Sequence, residues 1–372
     1  MRIPHTVRVL QKFARAIMAR WTGYGKVKRL MKRWQSLLLG VVVSALTLWI
    51  ALRGTDFNQL GGELARGKYI FLIPSILLGG LGLFVRAFRW RSLLNDQIEI
   101  KHSFHILNAS YLFNTILPLR LGEIVRGYMA TRLTPPISIV TSLTSVIVER
   151  LLDILAVVVL IVLSIAIAPV TPEIERAARV TGLLGLAGMV VASIFAARRE
   201  LAHAILNVVL RIVPLLKRLN PVVLLDRLLD GIAPLGSLRG AVAAYGWTAL
   251  SWAISVGQFL ITMYIFYDQP RLNSAFLVLG LAALAVALPA MPGNVGPFEA
   301  AIVAGTTLSG VASATDPQQQ ARALAFGVVL HMVSVLVYAI LGFVGLAQER
   351  ISLSEVMQSA RQMATRTAQS KS

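Results

Sequence analysis

Apolar residues gather in long runs at about 36–52, 69–88, 138–168, 180–197, 242–267 and 323–346, separated by short polar stretches. A run of roughly 18 or more crosses a hydrocarbon core of about 30 Å as an α-helix. Two further apolar regions are broken: 103–131 at Pro118, and 273–312 around Pro289 to Pro297. Helical backbone interrupted at membrane depth survives only where it is buried in protein or lines a wet cavity. The pattern predicts an all-α integral membrane protein with six full spans and two re-entrant helical hairpins, about eight membrane segments.

Composition agrees. The chain is 56% hydrophobic and 14% charged, with a mean hydropathy of +0.71, more apolar surface than a soluble domain of this length can hide. The net charge of +19 sits in arms and loops beside the spans. The positive-inside rule and attraction to anionic lipid account for it, so nucleic acid is not expected as a partner. Cysteine is absent, which excludes disulfides, thiolate nucleophiles and Cys-ligated metals. No Walker-type glycine loop is present, and neither a cofactor nor a metal is expected.

The distribution of bases orients the spans. Residues 1–35 carry ten Lys/Arg and no acid, with Arg8, Lys12 and Arg15 on one helical face and Phe13, Ile17 and Trp21 on another. That arm reads as an interfacial cytoplasmic helix or as a disordered basic tail. Segment 53–68 then falls outside, 89–102 with Arg89, Arg91 and Lys101 inside, and 171–179 with Glu173 and Glu175 outside. Segment 198–240 has seven bases against three acids, is broken by Pro214 and Pro221, and predicts helices lying on the cytoplasmic surface. Loops 268–272 and 313–321 fall outside, and the polar tail 347–372 ends inside. The first hairpin therefore enters from the cytoplasm and the second from outside. Halves of about 36–170 and 180–346 have opposite orientation, the inverted-repeat plan of secondary transporters. The expected location is a bacterial or archaeal inner membrane, with both termini cytoplasmic.

The two breaks resemble one another. The first contains Pro118, Gly122 and Glu123; the second contains Pro292, Gly293, Gly296, Pro297 and Glu299. Proline removes a donor, glycine permits the turn, and the glutamate either caps the returning half-helix or faces a ligand. Arg120 and Arg126 flank Glu123. A charge at mid-bilayer costs at least about 2.5–3.5 kcal/mol, so such residues pair or face a cavity. The i,i+3 spacing predicts a Glu123–Arg126 pair and leaves Arg120 to meet a phosphate; the competing reading puts both arginines at headgroup level. Span 138–168 adds Glu149, Arg150 and Asp153, on a polar stripe continuing through Ser145, Ser142 and Ser138. The last span has His331, Ser334 and Tyr338, with His331 either a proton site or a neutral histidine bonded to a neighbour. His102 and His105 have helical spacing but no acidic partner in the sequence nearby to suggest a metal site. Glycines 182, 185, 188, 342 and 345 predict close helix packing.

The runs NTILPLRLGEIVR (114–126), SVIVERLLDIL (145–155) and MPGNVGPFEA (291–300), in that order, resemble the lysylphosphatidylglycerol synthase transmembrane-region family, also called flippase-like. The resemblance covers roughly 36–346. The third run departs from the glycine-richer family version at Asn294-Val295. The resemblance implies a bundle that moves lipid between leaflets, here without the aminoacyltransferase or glycosyltransferase domain found in relatives, since only about 25 residues follow the last span. It points to Pro118, Arg120, Gly122, Glu123 and Arg126 in the first motif. In the second it points to Glu149, Arg150 and Asp153, and in the third to Pro292, Gly293, Gly296 and Glu299.

The leading expectation is translocation of a phospholipid or lipid-linked intermediate with an anionic or zwitterionic headgroup. Arg120, Arg126 and Arg150 would meet it, balanced by Glu123, Glu149, Asp153 and Glu299. On this view Arg120 or Glu149 can be replaced by alanine with loss of transport and retention of the fold. The alternatives are a membrane subunit of a lipid-modifying enzyme, or a scaffold recruiting a separately encoded one through the basic arm. No nucleophile–base set appears, so catalysis by this chain is not expected.

Overall fold

The computed structural model describes residues 44–52, 56–117, 120–167, 190–212, 221–287 and 292–352, with isolated positions at 42, 183, 187, 188 and 355. The basic arm 1–35, Pro118, the 171–179 loop, glycines 182 and 185 and most of the tail lie outside the described residues. Everything else described is helix or short connection.

The helices in chain order are α1 (44–52), α2 (Phe57–Arg66), α3 (Leu72–Leu93), α4 (Ile100–Ile116), α5 (Gly122–Ala130), α6 (Ile139–Ile167) and α7 (190–197). They continue with α8 (Arg199–Ile212), α9 (Pro221–Ile232), α10 (Leu238–Met263), α11 (Leu272–Ala287), α12 (Pro297–Leu308) and α13 (Pro317–Gln348). Their starts follow ordinary capping chemistry. Asp56 accepts from the Asn58 amide to open α2, Ser237 from Gly240 to open α10, and Asp316 from Gln318 and Gln319 to open α13.

On α3, Ile70 in the preceding turn and Ile73, Leu77, Leu81 and Phe84 fall three or four apart and are 42–70% exposed. The opposite face, with Ser75, Ala87, Arg89 and Trp90, is buried. Met332, Leu336, Ile340 and Phe343 repeat the exposed stripe on α13. Such continuous apolar stripes are suited to hydrocarbon rather than water. The segments Tyr69–Leu93 and Pro317–Gln348 are each long and apolar enough to cross a bilayer.

The broken regions form as hairpins: α4 and α5 for 103–131, and α11 and α12 for 273–312. Segment 198–240 contains α8 and α9, bridged by His203 and Asp226 at 2.9 Å. Two boundaries differ from the sequence expectation. Segment 53–68 is not a plain loop but holds the amphipathic α2, whose Glu63 is clamped by Arg322 on α13 at 2.7 Å. Of the bases counted as a loop in 89–102, Arg89 lies buried inside α3, Arg91 pairs with Asp96 at 3.2 Å, and Lys101 is in the first turn of α4.

The main helix contacts recur when the halves are exchanged. α3 packs on α10, its counterpart. α4 packs on α13 as α11 packs on α6, and α5 on α6 as α12 on α13. Even the amphipathic helices correspond, α2 lying on α13 as α9 lies on α6. Glycine permits the closest of these approaches. A Cβ at Gly345 would lie 2.4 Å from the His105 carbonyl oxygen, and one at Gly342 would lie 2.4 Å from Leu112 Cβ, so α13 and α4 touch backbone to backbone.

Candidate functional site

Where the halves meet, α3, α6, α10, α11 and α13 enclose a cavity of about 300 Å³ that contains Arg86, Arg120, Arg150 and Asp153. A second compartment of about 150 Å³ shares Tyr111, Arg120, Arg150, Ser334 and Tyr338 with it and adds Asn114, Thr115, Asn294 and His331.

The first break delivers its arginines through tight local geometry. The Gly122 amide is capped by Asn114 Oδ1 at 2.9 Å, and a Cβ there would sit 2.0 Å from the Ser110 carbonyl, so α5 returns directly against α4. Arg120 occupies the turn with φ 54, a left-handed conformation uncommon outside glycine, and its Nη2 donates to the Val286 carbonyl at 2.5 Å. That bond ties the first break to the end of α11 in the other half.

Behind the cavity lies a buried ion cluster. Arg126 donates through Nη1 and Nη2 to both oxygens of Glu149, at 2.5 and 3.3 Å, and its Cζ lies 4.3 Å from the Trp90 ring centroid. Arg89 donates to Asp153 at 2.7 Å and lies 3.6 Å from Glu149. Trp252 Nε1 donates to the same Asp153 oxygen at 3.1 Å. Arg150 lies 3.4 Å from Glu123 and 3.6 Å from Asp153. Charges removed from water need this degree of pairing to persist.

The predicted Glu123–Arg126 pair does not form. Arg126 turns inward to Glu149, and Glu123 faces Arg150 instead. Glu299 stays outside the arginine cluster: it accepts from the Gly296 amide at 2.7 Å, capping α12, and meets His331 Nδ1 at 2.5 Å. The two hairpins thus solve the same capping problem differently, Asn114 in the first and Glu299 in the second. In the second break Gly293 and Gly296 have φ of 74 and 96, and a Cβ at Gly296 would strike the Ser44 carbonyl at 2.4 Å. Pro297 follows at the first helical position, where its missing donor is harmless. His102 and His105 have an acidic partner after all, Glu349 at the C-terminal cap of α13, at 2.8 and 3.2 Å.

Sequence reading missed Arg86 and Arg89. Both lie at the end of an apolar run, where a charge ordinarily marks a membrane boundary. The signal was their i,i+3 spacing beside Trp90, on one face of a helix that had not yet ended. With them the cluster holds five guanidiniums (Arg86, Arg89, Arg120, Arg126, Arg150) and three carboxylates (Glu123, Glu149, Asp153). Arg86 has the Ser255 hydroxyl at 3.3 Å and the Tyr111 ring at 5.9 Å; Arg120 has a carbonyl. Among the described residues, neither forms an ion pair.

An all-helical bundle with lipid-facing apolar stripes and a charged interior cavity is a polytopic membrane protein. The chain belongs to the family described as the lysylphosphatidylglycerol synthase TM region, whose model matches residues 37–363. That family is a membrane region associated with lipid. No curated protein and no solved structure matches the chain.

Proposed function

We propose that this protein translocates an anionic lipid between leaflets and that Arg86 and Arg120 bind the phosphate of its headgroup. The observation that carries this reading is the cation excess: two arginines without carboxylate partners, both lining one cavity between the halves. A guanidinium fork in low dielectric holds a phosphate more strongly than it would in water. Glu123, Glu149 and Asp153 hold Arg89, Arg126 and Arg150 in place, which makes them scaffold for the site.

The two halves insert with opposite orientation, six spans and two hairpins in all, in an inner membrane with both termini cytoplasmic. Rocking one half against the other carries the headgroup past the breaks while the hydrocarbon chains stay in lipid. Movement is downhill or ion-coupled, and the chain performs no covalent chemistry. The Glu299–His331 pair, which joins the second hairpin to α13, is suited to carrying a proton.

The test uses purified protein in liposomes with headgroup-labelled lipids and dithionite quenching of the outer leaflet. Wild type should expose inner-leaflet label; Arg86→Gln and Arg120→Gln should not, with circular dichroism unchanged. Normal translocation by both variants would move the site elsewhere.

A further inference from the structure

The way the cavity divides says what kind of headgroup it accepts. Resting on the translocation reading above, we propose that the substrate is a phosphodiester bearing a neutral, hydroxyl-rich group (glycerol or a sugar), and that headgroups ending in an ammonium are rejected.

The larger compartment has a broad apolar wall, with Leu83, Ile154, Phe259 and Leu279 among its residues, beside the polar Ser255 and Gln258 and the charged Arg86 and Asp153. It suits the first carbons of a lipid chain. Arg120, which with Arg86 binds the phosphate on the reading above, lines both compartments, and this puts the phosphate at their junction. The smaller compartment then receives whatever lies beyond the phosphate. Its polar walls are amides, hydroxyls and an imidazole: Asn114, Thr115, Asn294, Ser334, Tyr111 and His331. Such groups donate to and accept from hydroxyls. The Asn294 side chain makes no hydrogen bond among the described residues and is free to do so.

An ammonium finds no counterpart there. It needs a carboxylate or an open aromatic face. Among the described residues, no carboxylate lines the smaller compartment. Glu299, the nearest by chain connection, is held by Gly296 and His331. Asp153 lines only the larger compartment, with Oδ1 accepting from Arg89 and Trp252 and Oδ2 3.6 Å from Arg150. Tyr111 and Tyr338 stack on each other at 5.1 Å, Arg86 already lies at the Tyr111 ring, and Phe298 packs on the His331 ring at 4.9 Å, so each of these rings already has a neighbour. The surplus of guanidiniums adds repulsion. Selectivity here comes as much from what the site refuses as from what it holds.

The experiment measures lipid binding, not transport, by titrating the purified protein in detergent and following its thermal shift. Four probes are used: phosphatidylglycerol, a polyprenyl phosphoglucose, phosphatidylethanolamine and lysylphosphatidylglycerol. The first two should bind at least about tenfold more tightly than the last two, a difference of one good charged hydrogen bond. Their order separates a glycerol from a sugar substrate. Asn294→Asp places a carboxylate in the smaller compartment at φ 57, which aspartate tolerates, and should shift the preference towards lysylphosphatidylglycerol. Equal or tighter binding of lysylphosphatidylglycerol by wild type overturns the proposal, as does an unchanged ranking in Asn294→Asp. If that cationic lipid binds and its binding is lost in Arg120→Gln, the lipid site at Arg120 stands and only the headgroup assignment falls. If no probe depends on Arg86 or Arg120, both fall together.

Discussion

Removing Glu149 should damage the fold before it affects transport, and the structure supplies the size of the effect. The side chain is 1% exposed, accepts from Arg126 at 2.5 and 3.3 Å, and lies 3.6 Å from Arg89. In Glu149→Leu, Arg89 keeps Asp153, but Arg126 keeps only the face of Trp90. Breaking a buried pair by deleting one partner costs about 3–5 kcal/mol. A desolvated cation–π contact is worth about 2 kcal/mol and is present in both proteins, so it offsets none of this. The double variant Arg126→Met/Glu149→Leu removes both charges and should recover most of the loss, because apolar replacements of buried pairs are often neutral or better. It also leaves the excess of cations over carboxylates unchanged, so lipid binding should survive. The measurement is unfolding in mixed micelles with increasing SDS, read by tryptophan fluorescence. A single-variant cost under about 1 kcal/mol, the value of an exposed pair, would refute the reasoning. So would a double variant no more stable than Glu149→Leu. The same measurement decides the sequence-based expectation that Glu149 can be replaced with the fold intact, against which the contacts of Glu149 with Arg126 and Arg89 weigh.

Other outcomes follow from single contacts. Gly345→Ala should cost about 1–3 kcal/mol in the same unfolding assay, because its Cβ would lie 2.4 Å from a backbone oxygen of α4 that cannot swing away. Gly61→Ala, with nothing within 4 Å of its Cβ, should be neutral or slightly stabilising. The hydrogen bond from Arg322 holds the Glu63 carboxyl below its ordinary value of 4.5. A carboxyl depressed in the fold contributes stability above its unfolded value and loses it as pH falls through the folded one. The stability difference between wild type and Glu63→Gln should accordingly be constant near neutrality and shrink below about pH 4.5.

The all-helical plan and the two breaks were readable because each is written locally, in runs of apolar residues and in proline–glycine interruptions. The pairing of charges was not. Glu123 and Arg126 have spacing that favours a local bond, yet α5 packs with Arg126 towards α6, and burial beside Glu149 outweighs a surface pair worth only a few tenths of a kcal/mol. Arg89 read as a loop residue because its partner, Asp153, is 64 positions away. Hydropathy along one segment cannot register a charge neutralised by another. The amphipathic α2 was missed for a related reason: ten residues with Gly61 and Gly62 among them carry little intrinsic helical preference, and it is the contact with α13 that orders them.

The exchange symmetry of the packing has a consequence for what the protein can become. Each half currently has its own shape: the first carries the buried ion cluster, and the second has a capped, nearly uncharged hairpin. Because the main helix contacts of one half have counterparts in the other, exchanging the arrangements of the two halves would keep the same principal set of helix neighbours. On the translocation reading proposed above, the same chain then holds the pattern for a second arrangement, which superposing α3 to α6 on the path of α10 to α13, and the reverse, would outline.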